Sequence, residues 1–388
     1  MRSCRPCFDR FAYLAVRQRT RRAIGLVASL NVPAEPDKLD HRAATSVRRG
    51  ELTVIVPAYN ERESIGDTLR SLQAQTRLPE RIVVVDDCST DGTADVARSL
   101  DVSVVRPSSN TGSKAGAQNV ALESIDSEFT MAIDADTTVA PDAIEKLLEA
   151  FDDSSVAAAC GFVIPRYVKT LWERARYVEY LLAFTWYKPI QDYYRKPLIS
   201  SGCFSMYRTS VLKEHDGWQT RTLAEDMDLT WSFHEHGYDV RFVPEAVCYP
   251  IEPHNFAFMS TQLRRWSHGF LQNVRLHWRA VLDVPYLRVF VMVAAWDAIL
   301  ASLAYVVLIP LLVIFFSMPI LLLAYFIDLP LVMIPVLVKA RKRQEILKAV
   351  SSVPCFMVLR LLNSYFILEA FVSEFVLRRS FKTYLKGH

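Results

Sequence analysis

The chain has 388 residues, 51% of them apolar, with seven cysteines and a formal net charge of +3. That charge is too small to argue for nucleic acid as a partner, and an odd number of mostly isolated cysteines argues against a disulfide framework and fits a reducing compartment. The apolar excess is concentrated after about Tyr286, whereas Glu51 to about Trp278 reads as an ordinary globular domain, which excludes a wholly soluble protein of one composition.

Four parts are predicted: a basic tail at residues 1–50, a globular domain at 51–260, an amphipathic interface helix at 261–285 and a membrane region at 286–388. In the tail, Arg17, Arg19, Arg21 and Arg22 crowd one stretch, and the apolar run Ala23 to Leu30 falls well short of the ~20 residues of a spanning helix. A basic amphipathic helix on a membrane surface is expected there, in preference to a targeting segment. Cys4 and Cys7 form a C-x-x-C with no second pair or nearby His to complete a zinc site.

The globular part alternates strand and helix. Leu-Thr-Val-Ile-Val from Leu52 ends at Pro57, and Ile65, Leu69 and Leu72 follow at helical spacing. The alternation recurs with Arg81 to Val85 before Asp91 to Leu100, Val102 to Val105 before Gly112 to Ser124, and Phe129 to Ile133 before Pro141 to Ala150. Strands apolar throughout, each followed by a crossover helix, describe a doubly wound, mostly parallel α/β sheet covered on both faces. Ligands of such sheets bind at the carboxyl ends of the strands.

Next, Gln262 to Val281 alternates Arg264, Arg265, Arg275 and Arg279 with Leu263, Trp266, Phe270 and Leu271, as an interfacial helix does. Two transmembrane helices are predicted, at about 289–316 with Asp297 as its one charge and at about 318–338 with Asp328 near its middle. Acids at such depth must face protein or water. Lys339, Arg341, Lys342 and Arg343 mark the following end as cytoplasmic, giving a hairpin with the globular domain inside. The apolar segment at about 346–377 is interrupted by Pro354, Arg360, Asn363, Glu369 and Glu374, and reads as an interfacial or re-entrant helix in preference to a third span.

Acidic motifs fall where the fold places a site. Pro57-Ala58-Tyr59-Asn60-Glu61 ends the first strand, and Asp86-Asp87-Cys88-Ser89-Thr90-Asp91-Gly92 ends the second; adjacent carboxylates there suit a base and ribose, though a helix cap and turn also use them. Asp134 and Asp136 follow the fourth strand. In extended chain both would face one pocket about 6 to 7 Å apart, a pair that calls for a hard cation such as Mg²⁺ or Mn²⁺ shared with phosphate oxygens. Glu225-Asp226, with Asp228 two residues on, stands at a predicted helix start, where acids are common. His254 and His268 read as interface or packing residues, and His234 and His236 as solvated side chains on a helix surface. The aromatic segment containing Trp172, Tyr177, Tyr180, Trp186, Tyr187, Tyr193 and Tyr194 reads as core or membrane-facing surface.

These motifs, with Lys114 in Gly112-Ser-Lys-Ala-Gly-Ala-Gln-Asn119, Gly202-Cys203-Phe204 and Gln262-Leu-Arg-Arg265-Trp266, occur in an order that resembles the inverting family 2 glycosyltransferases. Within that family the resemblance is to the membrane-bound processive synthases of cellulose, chitin, hyaluronan and poly-N-acetylglucosamine. It implies a GT-A-type fold followed by a helical membrane domain. It implies further that Ala58, Tyr59, Glu61, Asp87 and Lys114 hold the nucleotide and that Asp134 and Asp136 hold the donor diphosphate and its metal, Asp136 as metal ligand. Asp226 would be the general base beside Glu225, Gln262 and Arg265 would contact the diphosphate, and Trp266 would stack under the acceptor sugar. The implied partners are a UDP-sugar, a saccharide or lipid-linked acceptor, and membrane lipid. Transfer of one sugar to a polyprenyl phosphate, lipid or protein is the alternative. An idle nucleotide-sugar-binding scaffold would be signalled by loss of the site carboxylates, which are all present. Ala224 departs from the Thr that often precedes the Glu-Asp pair, and two convincing spans put a complete polymer-translocating channel in doubt.

Overall fold

The computed structural model describes residues 50–381. The expectations for the basic tail, including its arginine cluster, Cys4 and Cys7, lie outside the described residues.

The first half follows the predicted alternation: β1 (Leu52–Ala58), α1 (Ile65–Gln73), β2 (Arg81–Asp86), α2 (Thr93–Arg98), β3 (Ser103–Val105), α3 (Lys114–Leu122), β4 (Phe129–Ile133), then the short β5 (Thr138–Val139) and α4 (Ala143–Leu148). The second half adds β6 (Val156–Val163), α5 (Leu171–Leu182), α6 (Lys188–Tyr193), β7 (Phe204–Arg208), α7 (Thr209–Glu214), α8 (Glu225–Glu235) and β8 (Asp239–Tyr249). All eight strands form one sheet in the order β3-β2-β1-β4-β7-β6-β8-β5. β1 pairs in parallel with β2 and β4, and β2 with β3. β7 runs antiparallel between β4 and β6, while β8 is parallel to β6, so the far half of the sheet is mixed.

Period-two alternation assigns β1 to two cores. Val54 and Val56 pack with Ile65, Leu69 and Leu72 of α1, and Ile55 packs on the other face with Val83, Val85 and the alanines of α3. Burial on both faces explains why these strands read as unbroken apolar runs. His234 departs from its expected solvated position: it is buried in α8, with Nε2 2.9 Å from the Pro197 carbonyl. Burial and the nearby Lys196 ammonium hold its pKa down at about 4, which keeps the ring neutral.

α9 (Phe256–Leu276) starts earlier than the amphipathic pattern suggested, capped by the Asn255 side chain, which accepts from Phe258 N–H at 3.0 Å. α10 (Trp278–Asp283) follows after a break at His277. Among the described residues, three further helices are long and apolar enough to cross a membrane: α11 (Leu287–Phe316), α12 (Pro319–Lys342) and α13 (Ile346–Val376). They differ in surroundings: 28% of the most apolar window of α13 is buried, against 11% for each of the others, because α13 lies along α5 and α9 of the globular domain. Asp328 of α12 is answered by Arg360 of α13, whose guanidinium donates to it at 3.0 Å and also bonds the Tyr305 hydroxyl of α11 at 2.6 Å. One cation thereby joins all three apolar helices.

Candidate active site

The carboxyl ends of β1 and β2 carry the first two motifs. Ala58 closes β1, and its carbonyl accepts from the Asp87 N–H at 2.9 Å. Asp87, buried just past β2, receives the Thr111 N–H at 2.7 Å and the Thr111 hydroxyl at 2.9 Å, so its carboxylate braces the loop that enters α3. The buried Glu61 accepts from the Ser64 hydroxyl at 2.6 Å, while its own N–H donates to the Thr93 hydroxyl at 2.8 Å. Asn60 has a left-handed backbone and donates to Ser89 at 2.9 Å. These bonds lock the two strand ends into one cradle. Tyr59 stands half-exposed at its mouth.

Lys114 is the hub of the second cluster. As the first residue of α3, whose cap Ser113 accepts from Gly116 N–H at 3.1 Å, its side chain crosses to pair with Asp134 and donates to the Gly202 carbonyl at 2.8 Å. Gly202 in turn gives its N–H to the Asp226 carboxylate at 2.8 Å. A Cβ at residue 202 would lie 2.9 Å from that carboxylate oxygen and 3.3 Å from the lysine nitrogen, so any larger residue would displace the Asp226 carboxylate. Glu225 and Asp226 open α8, where the helix dipole favours negative charge. At this cluster, burial and the Asp226 carboxylate beside it push the Glu225 pKa up, while the charges of Lys114 and of Arg265 on α9 draw it down. α9 reaches it through Gly269, where a Cβ would meet the Ala224 Cβ at 2.7 Å. Ala224, one residue before the pair, thus lies under α9.

Asp134 and Asp136 do not lie in extended chain. Thr137 N–H bonds the Asp134 carbonyl at 3.1 Å, closing a tight turn directly after β4, so the alternation argument for the pair fails. Asp134 faces Lys114, and Asp136 is buried, accepting from the Thr137 hydroxyl at 3.1 Å. Among the described residues no three His, Cys, Asp or Glu side chains converge as a metal cage. The two aspartates offer hard oxygen donors that would suit a divalent ion.

The Gln-x-x-Arg-Trp residues separate. The charge of Arg265 is felt at Glu225, whereas the Gln262 side-chain oxygen accepts from Arg176 at 2.6 Å and the Trp266 ring lies over the same guanidinium at 4.3 Å. Gln262 was expected on the diphosphate; its oxygen is committed to Arg176 because the two face each other across the α5–α9 contact. Asp228 also turns away from the cluster. It is fully buried and accepts from Arg221 at 2.7 and 2.8 Å and from His277 at 2.7 Å. Although burial opposes it, bonding to Asp228 and Glu235 raises the His277 pKa to about 9, so a charged imidazolium pins α8 to the end of α9.

Sequence reasoning missed Arg176, Gly202 as the link between Lys114 and Asp226, and the Asp228–His277 pin. Gly202 carried a signal, since its motif stood out; the other two look like ordinary helix charges.

Residues 53–216 match the family model described as Glycosyl transferase family 2. A poly-beta-1,6-N-acetyl-D-glucosamine synthase of Staphylococcus epidermidis is 27% identical over 223 residues, 56% of this chain and 54% of that protein. Its counterpart in Staphylococcus aureus is 28% identical over the same length. The chain therefore spans about half the length of the curated relatives it matches. Among solved structures, the mannosyltransferase PcManGT of Pyrobaculum calidifontis, in complex with GDP-Man and Mn²⁺, superposes with a TM-score of 0.56 at 19% identity, covering 84% of this chain and 87% of that one. The shared fold is the expected GT-A-type sheet.

Proposed function

We propose, from the family 2 glycosyltransferase domain that this chain carries, an inverting transfer of a hexose or N-acetylhexosamine from a UDP-sugar to a growing saccharide, forming β-linkages at the cytoplasmic face of a membrane. The observation that carries the reading is the relay Asp134–Lys114–Gly202–Asp226, in which one lysine joins a diphosphate-side carboxylate to the candidate base.

Asp226 takes the proton of the attacking hydroxyl as that oxygen bonds the anomeric carbon. The bond from that carbon to the diphosphate oxygen breaks on the opposite face, which inverts an α-linked donor to a β-product. Negative charge collects on the leaving UDP, where Lys114 and Arg265 stabilise it. Mg²⁺ or Mn²⁺ at Asp136, with Asp134 beside it, would neutralise the same diphosphate, in line with the fold relative solved with GDP-Man and Mn²⁺. Ala58, Tyr59, Glu61 and Asp87 form the nucleotide cradle. Trp266, 38% exposed, offers its open face to the acceptor sugar.

The named relatives support N-acetylglucosamine as the sugar and a polymer as the product. The protein is read as multi-pass: α11 and α12 form a hairpin that returns at Lys339 to Arg343, and α13 is an interfacial or re-entrant helix that lies against the enzyme and meets the hairpin through Arg360.

The test is UDP release from candidate UDP-sugars by the full chain in detergent with Mg²⁺ or Mn²⁺, with products sized by mass spectrometry and Asp226→Asn in parallel. A ladder of products, lost in the variant, is expected. A single addition would establish one-sugar transfer to a lipid, polyprenyl phosphate or protein instead, and turnover that ignores both the ion and the substitution would overturn the mechanism.

A further inference from the structure

We infer that Arg176 is a positioning residue for the acceptor platform and that Glu179 and Asn363 link it to the apolar helix α13. The inference rests on the proposed role of Trp266 as the surface on which the acceptor sugar stacks.

Arg176 is wholly buried in α5. Its guanidinium pairs with Glu179, lies 3.6 Å from the buried Glu252, donates to the Gln262 oxygen at 2.6 Å and carries the Trp266 ring at 4.3 Å. Gln262 and Trp266 are four residues apart on α9 and so share one face of that helix. A single planar cation therefore sets both the rotation of α9 and the plane of the indole: it donates in its own plane while stacking through its face, which an ammonium does not do. With one face of the ring covered by the cation, the other is the one left for a sugar.

Filling the same volume with an apolar side chain would avoid the desolvation cost of a buried charge. What such a side chain would lack is an oriented support under the ring and a donor for Gln262. The cation is held in turn from outside the enzyme domain. The other Glu179 oxygen accepts from Asn363 Nδ2 of α13 at 2.9 Å. One turn nearer the start of α5, Arg174 donates to the Ser351 carbonyl of α13 at 2.7 Å, which keeps the two helices in register. The tilt of the acceptor platform is thus referred to a membrane-associated helix.

The experiment compares Arg176→Lys, Asn363→Ala and Trp266→Ala in the full-length protein in detergent, with UDP-N-acetylglucosamine as donor and a short β-1,6-linked N-acetylglucosamine oligosaccharide as acceptor. Arg176→Lys is expected to raise the acceptor KM about tenfold while the donor KM changes by less than about twofold, and to add little to Trp266→Ala when combined with it. Asn363→Ala is expected to raise the acceptor KM by about threefold, with the donor KM again unmoved. If Trp266→Ala raises the acceptor KM and Arg176→Lys does not, the inference falls while the platform reading stands. If Trp266→Ala leaves the acceptor KM unchanged, or the wild-type protein does not extend the oligosaccharide, the functional reading falls and the inference with it. Should Arg176→Lys fail to fold, Asn363→Ala decides alone: an unchanged acceptor KM, or donor and acceptor KM rising together, overturns the link to α13.

Discussion

The two ends of the site are built differently. At the end proposed for the nucleotide, each candidate residue is held by a neighbour from the next loop: Asn60 by Ser89, Glu61 by Thr93, Asp87 by Thr111, with 24 to 32 positions separating partners. Toward the acceptor the partners come from far apart: Lys114 and Gly202 are 88 residues apart, Arg176 and Gln262 86, and Glu179 and Asn363 184. The near end is therefore set by the local geometry of a doubly wound sheet, and the far end by how the helical part of the chain docks on it. The contrast teaches that donor binding and acceptor binding should respond to different parts of the molecule.

The sharpest way to break the comparison is at the residue that joins the ends. Replacing Lys114 with Met removes the cation between Asp134 and the Gly202–Asp226 pair, and the transfer rate should fall about 10²-fold with circular dichroism unchanged. Near-normal turnover would show that the two ends do not share this lysine. Next in size is Gly202→Ala, whose new methyl crowds the Asp226 oxygen; kcat should drop roughly tenfold with the donor KM nearly constant, as steady-state kinetics would show. Asp87→Ala should act on the near end alone. Without its carboxylate the Thr111 loop is unbraced, and the donor KM is expected to rise about tenfold while the acceptor KM holds; parallel changes in both would remove the distinction.

The smallest effect is in stability against pH. His277 has its folded-state pKa raised from 6.5 to about 9, so its contribution is complete below 6.5 and is lost as pH climbs through about 9. The melting temperature in detergent should decline across that window, and His277→Gln should flatten the decline. A profile unchanged by the substitution would mean that the imidazolium does not pin α8 to α9.

Much of the near end was legible in the sequence. Four strand–helix units appeared as apolar runs followed by helical spacing, because strands covered on both faces must be apolar throughout. The carboxylates fell at strand ends because parallel topology exposes those ends to one crevice. The Asp134–Asp136 geometry was misread, since a turn and an extended segment of three residues have the same composition. His234 was misplaced because nothing in a helical stretch of mixed polarity distinguishes a buried ring from a solvated one.

By itself, then, the sequence determined the sheet's repeating units, the motif residues and the apolar helices, all of which follow from periodicity within a few turns of chain. Only the tertiary structure decided that β7 enters antiparallel, that Gln262 turns to Arg176, that Asp228 pins α8 to His277, and that α13 lies along the enzyme. Each of these depends on which distant faces meet, and a contact between residues 49 or 86 positions apart leaves no periodic trace in either segment.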